Sequence, residues 1–414
     1  MTDTIDTRSA SLPHRAVATT RPPAAARTVL RLLEKLAHGT LELELPDGSQ
    51  HRYGKGDGPT ASMRLNNWEV FHATMKSGDI GFAETYISGD WNTPDLAGLI
   101  RLLIGNRERI ESVLYGSWWG SLLYRFRHLF NRNSRSGSRR NIHAHYDLGN
   151  TFYRHWLDET MNYSSALFNG DVQQPLAQAQ WAKIHRALDQ VRVQPGQRVL
   201  EIGCGWGAVA QAVASEREAC LTGVTLSTEQ LAFGQQRMRD AGLADQADLR
   251  LQDYRDIDDG PYDAIVSIEM FEAVGREYWP EYFAGVARNL KPGGRACIQS
   301  ITIRDDLFDR YARSTDFIQQ YIFPGGMLPS QSTFIESAQQ AGLQLETAFS
   351  FGPDYAETLR RWRTPFLANE QAIRGLGFDT RFMRTWDFYL CYCEAAFDTG
   401  NTDVVQFTLF KPEV

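Results

Sequence analysis

Cysteine is scarce in this chain. Five thiols are spread at irregular spacing over 414 residues. That excludes a disulfide framework and a Cys/His zinc site, and it reads as a reducing compartment, the cytoplasm. No apolar run approaches the roughly 20 residues that a membrane-spanning helix needs. The first thirty residues lack the apolar core of a secretory signal. They are rich in Arg, Ser, Ala and Pro, but Asp3 and Asp6 argue against a transit peptide, and residues 1–27 read as a disordered tail. An excess of positive charge is also missing. The net charge is -7, which argues against general nucleic-acid binding.

What is present is a soluble globular composition, 43% hydrophobic and 22% charged, in a chain long enough for two domains. Aromatics reach 12%, with ten Trp, which suits either a large core or an apolar ligand pocket. Charge is unevenly placed. Arg125, Arg127, Arg132, Arg135, Arg139 and Arg140 fall between Leu122 and Arg140 with no acid among them, beside alternating apolar residues. This run is either a solvated connector or a segment that sits on anionic lipid headgroups. The chain divides accordingly into a small α+β domain at 28–115, a basic linker at 116–140 and a larger domain at 141–414.

The larger domain is organised around Val199-Leu200-Glu201-Ile202-Gly203-Cys204-Gly205-Trp206-Gly207. An apolar strand ends in an acid, a glycine turn follows, and a helix begins at Ala208. In an α/β sheet that is where a nucleotide binds. Strand patterns recur at 221–226, 248–251, 264–268 and 295–303, separated by helical stretches at 228–241 and 278–290. A last helix at 334–341 and two strands at 343–349 and 404–410 complete a doubly wound, mostly parallel sheet. The aromatic-rich segments 304–330 and 352–400 fit no core element and are expected to roof a pocket over the carboxyl edge of that sheet.

The spacing Glu201-x-Gly203-x-Gly205-x-Gly207 resembles motif I of S-adenosylmethionine (SAM) methyltransferases. Further phrases stand beside it: His145-Tyr146-Asp147-Leu148-Gly149-Asn150, Met161-Asn162-Tyr163-Ser164, Thr225-Leu226-Ser227-Thr228-Glu229-Gln230, Gln252-Asp253-Tyr254-Arg255, Phe271-Glu272-Ala273-Val274-Gly275 and Tyr321-Ile322-Phe323-Pro324-Gly325-Gly326. Together, from Asn141 to Phe410, the chain resembles the cyclopropane-fatty-acyl-phospholipid synthase family, which includes the mycolic-acid cyclopropane synthases. The resemblance implies a Rossmann-like class I methyltransferase fold with a seven-stranded sheet. It implies SAM as cofactor, held by Tyr146, Tyr163, Ser164, Glu201, Gly203, Gly205, Thr225, Gln230, Asp253 and Tyr254. Backbone N–H groups after Gly203 are expected to face the anionic end of that donor.

The family's substrate is a cis alkene within an acyl chain of a membrane phospholipid. Methyl transfer to it produces a carbocation, and a bound bicarbonate is taken to remove the proton that closes a cyclopropane. By resemblance the catalytic positions are Glu272, Tyr355, Gln299, Ser165 and Cys393. The chain departs from the pattern at three positions: Ser165 stands for a cysteine, Gln299 for a histidine, and Ala273 for the histidine after the glutamate. Ser165 and Gln299 still bond an oxyanion but accept protons poorly near neutral pH, which leaves bicarbonate or Glu272 as the base. Cys393 reads better as a structural thiol. Glu269, where glycine is usual, is either a second carboxylate or an exposed strand-end charge. Phe271, Tyr311, Phe317, Tyr321 and Phe323 are candidates to stabilise the cation. The expected enzyme works at the inner face of the cytoplasmic membrane, as monomer or homodimer, and yields a ring or a methyl-modified chain. Methylation of a soluble metabolite and an inactive lipid-binding relative are the alternatives.

Overall fold

The computed structural model describes residues 22–114 and 148–413. Two sheets organise it. The smaller has the order β2-β1-β3-β4, with β1 at Thr40–Glu44, β2 at Gln50–Gly54, β3 at Thr60–Leu65 and β4 at Trp91–Asn92. Leu41 and Leu43 alternate with Glu42 along β1, so one face is buried and the other wet. The Pro46-Asp47-Gly48 turn carries the chain into antiparallel β2, with Asp47 accepting from Ser49 N at 3.0 Å. Ser77-Gly78-Asp79 forms a kink inside one long helix, Glu69–Ser88. Gly78 takes φ 60° and ψ -133° there, a conformation open to glycine.

The larger sheet runs β10-β11-β9-β8-β5-β6-β7. Its strands are β5 (Arg198–Ile202), β6 (Cys220–Thr225), β7 (Ala247–Leu251), β8 (Tyr262–Ile268), β9 (Leu290–Ile303), β10 (Gln344–Ser350) and β11 (Thr402–Phe410). Strands β7 through β9 are parallel, and β11 and β10 join antiparallel. Strand order reverses between β5 and β8, so their carboxyl ends frame a crevice. β9 begins at Leu290, ahead of the expected Arg295. Lys291–Gly294 does end the helix Trp279–Asn289, but it then pairs with the chain end, Gly293 N donating to Lys411 O at 2.8 Å.

The two segments expected as roof are helical: Asp305–Tyr311, Phe317–Tyr321, Gly352–Ala368, Glu370–Gly375 and Thr380–Asp398. The last of these also joins the sheets. Tyr86 donates to Asp387 Oδ2 at 2.7 Å, and Arg384 donates to the carbonyls of Tyr86 and Trp91. Tyr392 on the same helix reaches Asp79 at the kink, at 2.9 Å. Among the described residues no helix is long and apolar enough to cross a membrane. The arginines of 125–140 lie outside the described residues.

Candidate active site

A cavity of about 300 Å³ opens where β5, β6 and β8 end, and the added helices cover it. The glycine turn forms its floor. Gly203 has φ 87°, and a Cβ there would stand 2.8 Å from Met270 Cγ, so backbone and ligand can approach only because no side chain intervenes. The amides of Gly203 and Cys204 both donate to Val224 O at 3.0 Å. They tie the turn to β6 instead of facing an anion, which corrects the expectation for the N–H groups just after the strand. Gly205 remains on the cavity wall. Glu201, the last acid before the turn, is 2% exposed, and its Oε2 has no hydrogen-bond partner. Burial raises its pKa to about 8 against the pull of Lys183. An orphaned carboxylate oxygen beside a glycine cradle fits a ligand that brings its own donors and positive charge, as SAM does. Gly203→Ala is expected to weaken SAM binding at least about tenfold by calorimetry, a loss of about 1.4 kcal/mol, and to lower the melting temperature as well, because alanine is strained at this φ and its Cβ meets Met270.

The other predicted donor-binding residues gather round the same cavity. At the end of β6, Thr225 Oγ1 donates to Gln230 Oε1 at 3.0 Å, so Gln230 offers a ligand its amide NH₂. Tyr254 lines the wall beside Asp253, whose carboxylate is gripped by Arg255 at 2.8 and 2.6 Å; Asp253 thus shapes the turn more than it offers a free acceptor. Tyr163 shares a hydroxyl–hydroxyl bond of 2.7 Å with Tyr389. Ser164 Oγ accepts from Lys183 Nζ at 2.6 Å. Tyr146 lies outside the described residues.

Lys183 escaped the sequence reading. It is fully buried in the helix Leu176–Val191, and burial lowers its pKa to about 8 although Glu269, Asp158 and Glu201 favour its charge. The signal was a lysine inside the apolar stripe Ala179, Ile184, Ala187, Leu188 of that helix.

The carboxylates are arranged differently from the expectation. Glu269, the residue after β8, sits in the left-handed region, φ 50°, a conformation that suits glycine and strains glutamate by about 1 kcal/mol. Its side chain turns into the cavity wall and takes three donors: Ser165 N at 2.8 Å and Gln299 Nε2 at 2.7 Å on Oε1, and Tyr355 OH at 2.6 Å on Oε2. Burial nevertheless raises its pKa above the usual carboxylate range. Glu272 faces the same cavity. Its Oε1 accepts from Ile301 N at 2.5 Å and Ser300 Oγ at 3.2 Å, while Oε2 has no partner. Burial and the Glu269 charge push its pKa up to about 8.

Two further expectations are corrected. Ser165 contributes its backbone N–H, because its hydroxyl donates to Ala166 O at 2.9 Å. Gln299 stands behind Glu269 and does not line the cavity. With Ser165, Gln299 and Tyr355 all bonded to Glu269, the groups expected to hold bicarbonate are taken, and that ion does not fit among them. Cys393 lines the cavity, but burial pushes its thiol well up, so it is a neutral wall group. Of the aromatics proposed to face a cation, Tyr311 and Phe323 line the cavity. Phe271 and Phe317 are core residues, and Tyr321 bonds Glu84. Tyr163, Trp206, Tyr254, Tyr355, Tyr389, Tyr392 and Phe397 are the other aromatics of the wall.

A Rossmann-like sheet with an acid-glycine turn below a roofed aromatic cavity defines a class I SAM-dependent methyltransferase. The comparisons carry this to a family. The sequence profile described as mycolic acid cyclopropane synthetase matches residues 133–407, and the chain belongs to that family. It is 40% identical over 402 residues to the tuberculostearic acid methyltransferase UfaA1 of Mycobacterium tuberculosis, covering 94% of this chain and 93% of that one. It is 33% identical over 377 residues to the cyclopropane-fatty-acyl-phospholipid synthase of Escherichia coli, covering 88% and 94%. Among solved structures it is similar to the mycolic acid cyclopropane synthase CmaA1 complexed with SAH and CTAB, with a TM-score of 0.62 and 34% identity over 66% of this chain and 98% of that one. The protein is a SAM-dependent methyltransferase that modifies lipid chains.

Proposed function

We propose that this enzyme methylates the cis double bond of an unsaturated acyl chain carried by a membrane phospholipid, with Glu269 as the base. The observation that supports this most is the Glu269 carboxylate, held by three donors on the wall of an aromatic cavity that is continuous with the SAM turn. When bound, SAM supplies an electrophilic methyl group. The alkene π pair forms the new C–C bond, the C–S pair leaves with sulfur, and one chain carbon becomes cationic. The tyrosine faces stabilise that charge, and the roof helices keep out the water that would hydrate it. Glu269 then takes a C–H proton. The released pair closes a cyclopropane if the proton comes from the delivered methyl, forms a methyl-branched alkene if it comes from a chain carbon beside the cation, and forms a methylene group if a hydride first shifts from the methylated carbon to the cation and the methyl then gives up the proton.

Two carboxyls this close do not both ionise readily. Glu269 has three donors and the Lys183 charge to favour its ionised form, whereas Glu272 Oε2 has no partner, and burial with the Glu269 charge raises the Glu272 pKa to about 8. The three donors on its oxygens make Glu269 the better placed of the two to act as the base, with Glu272 as the partner that holds its proton. The name of the Escherichia coli relative and the basic segment 125–140 support a phospholipid substrate presented at a membrane surface.

The test is incubation of purified enzyme with methyl-labelled SAM and liposomes of unsaturated phospholipid. Label is expected in the acyl chain. The candidate products are isomers, so proton NMR distinguishes them: ring protons resonate far upfield, alkene protons do not. Label in neither form of chain, at any acyl length tried, would end this reading. Tyr355→Phe, which strips one donor from Glu269 Oε2, is expected to lower kcat roughly tenfold, the cost of one hydrogen bond to a charge. It should also move the acid limb of the pH profile upward, because the carboxylate form is then less favoured.

A further inference from the structure

Behind Glu269 stands a file of polar side chains outside the cavity. Gln299 on β9 and Gln406 on β11 are direct partners in the antiparallel register, so they rise from the same face of the sheet. Both are 0% exposed. Above them the helix Leu176–Val191 places Arg186 one turn after Lys183, with its guanidinium carbon 3.9 Å from the centroid of the Phe349 ring. Phe349 is in turn the β10 partner of Gln406.

The hydrogen bonds along this file all run one way. Arg186 donates to Gln406 Oε1 at 2.6 Å. Gln406 Nε2 donates to Gln299 Oε1 at 3.0 Å and to Lys183 O at 3.1 Å. Gln299 Nε2 donates to Glu269 Oε1 at 2.7 Å. An amide can present either end with little change in shape, but a guanidinium has donors only. Arg186 therefore draws the oxygen of Gln406 toward itself. That leaves the Gln406 nitrogen for Gln299, and the Gln299 nitrogen for Glu269. Arg186, which only donates, fixes the polarity of the file at its far end, and the Lys183 carbonyl and the ionised Glu269 carboxylate, which only accept, agree with it.

The geometry points to Arg186 and Gln406 as positioning residues for methyl transfer, acting through Gln299 to keep a donor and not an amide oxygen against the Glu269 carboxylate. This rests on Glu269 being the base. If the file inverts, Gln299 sets oxygen against oxygen and the carboxylate holds its proton more tightly. The other groups facing Glu269 are Lys183 from the helix above, Glu272 from the turn that follows β8, and Tyr355 from the helix Gly352–Ala368. None of their side chains bonds Gln406.

The experiment is steady-state turnover of labelled SAM on unsaturated liposomes for Gln406→Glu, Arg186→Met and Arg186→Lys, each with a full pH profile. In Gln406→Glu the new carboxylate accepts from Arg186 and from Gln299, which turns the Gln299 oxygen to Glu269. Its kcat is expected to fall roughly 10–100-fold, as for a lost hydrogen bond to a charge. KM for SAM should hold, and the acid limb should move up by about one pH unit. Arg186→Met is expected to shift the profile the same way, and Arg186→Lys, still a donor, to restore most of it. Wild-type kcat and pH profile in a folded Gln406→Glu would overturn the inference. If that variant does not fold, an unchanged profile in Arg186→Met does so, since Arg186 is only half-buried and its loss leaves the sheet intact. Full turnover in Glu269→Gln would instead overturn the base on which the inference stands, so the two failures are separable.

Discussion

Glu269→Gln is expected to reduce turnover by a factor on the order of 10²–10⁴, the usual worth of a positioned general base, with fold and SAM binding retained. The substitution is nearly isosteric. Its oxygen accepts from Ser165 N and Gln299 Nε2, as Oε1 does now, and its NH₂ meets Tyr355, whose hydroxyl turns to accept. What is lost is the negative charge and with it the capacity to take a proton. The competing base is Glu272, and the same variant tests it. Removing the Glu269 charge relieves one of the two causes that hold the Glu272 pKa near 8. If Glu272 were the base, turnover would persist with its acid limb moved down. A third variant addresses bicarbonate. Glu269→Gly relieves the positive φ and leaves three donors facing an empty niche. Turnover of that variant, absent in plain buffer, is expected to return with added bicarbonate or formate. Rescue would show that the niche is an oxyanion site which this chain fills with its own side chain.

How much of this was legible in the sequence follows from which signals are local. The strand, turn and helix at 199–214 are written in adjacent residues, because an apolar run, an acid and alternating glycines each constrain their own backbone. The Ser227 cap is local too, accepting from Gln230 N at 3.2 Å. The roof segments resisted assignment because their aromatics face both the core and the cavity, which blurs the helical period; Trp386 and Tyr389 on one helix show this, the first turned to core rings and the second to the cavity. The role of Glu269 was hidden for a different reason. A residue that the sequence leaves open as a second carboxylate or an exposed strand-end charge becomes a buried carboxylate through donors that lie 104, 30 and 86 residues away in sequence. Gln299 was placed by resemblance as an oxyanion ligand, and it does bond an oxyanion, but that oxyanion belongs to the protein.

The ligand-free protein is expected to lose stability as pH rises from about 5 to 8, opposite to the common pattern in which paired carboxylates make neutral pH the more stable side. Besides Glu269, whose pKa is also raised, four buried acids have large upward shifts: Glu201 and Glu272 to about 8, from 4.5, and Asp316 to about 7 and Asp79 to about 6, from 3.8. Burial is the first cause in each, and Asp316 also feels the Asp79 charge across the junction of the two sheets. A raised folded-state pKa means the native state binds protons that the unfolded chain has released. Its stabilising share is full below about pH 4, falls from there, and is gone above the folded pKa. A tenfold change in proton affinity is worth about 1.4 kcal/mol, so the fall amounts to several kcal/mol. Lys183 acts outside this window: with its pKa lowered to about 8 from 10.5, its unfavourable contribution is complete below pH 8 and fades only above it. The exposed acids with lowered pKa values, Asp305 and Asp306, have finished titrating before this window opens. Urea unfolding at fixed ionic strength between about pH 5 and 8 measures the slope, and Glu272→Gln is expected to flatten it, because an uncharged amide has no proton to lose. A positively charged ligand reverses the logic of the cavity. It favours the ionised form of Glu201, so SAM should stabilise the protein more at about pH 8 than at about pH 6 and should release protons on binding near pH 7. Calorimetry in buffers of different ionisation enthalpy reads that release directly. Stability that climbs through this range, with no proton exchanged on binding, would mean that these carboxyls are ionised in the folded chain and that the cavity is wetter than its lining implies.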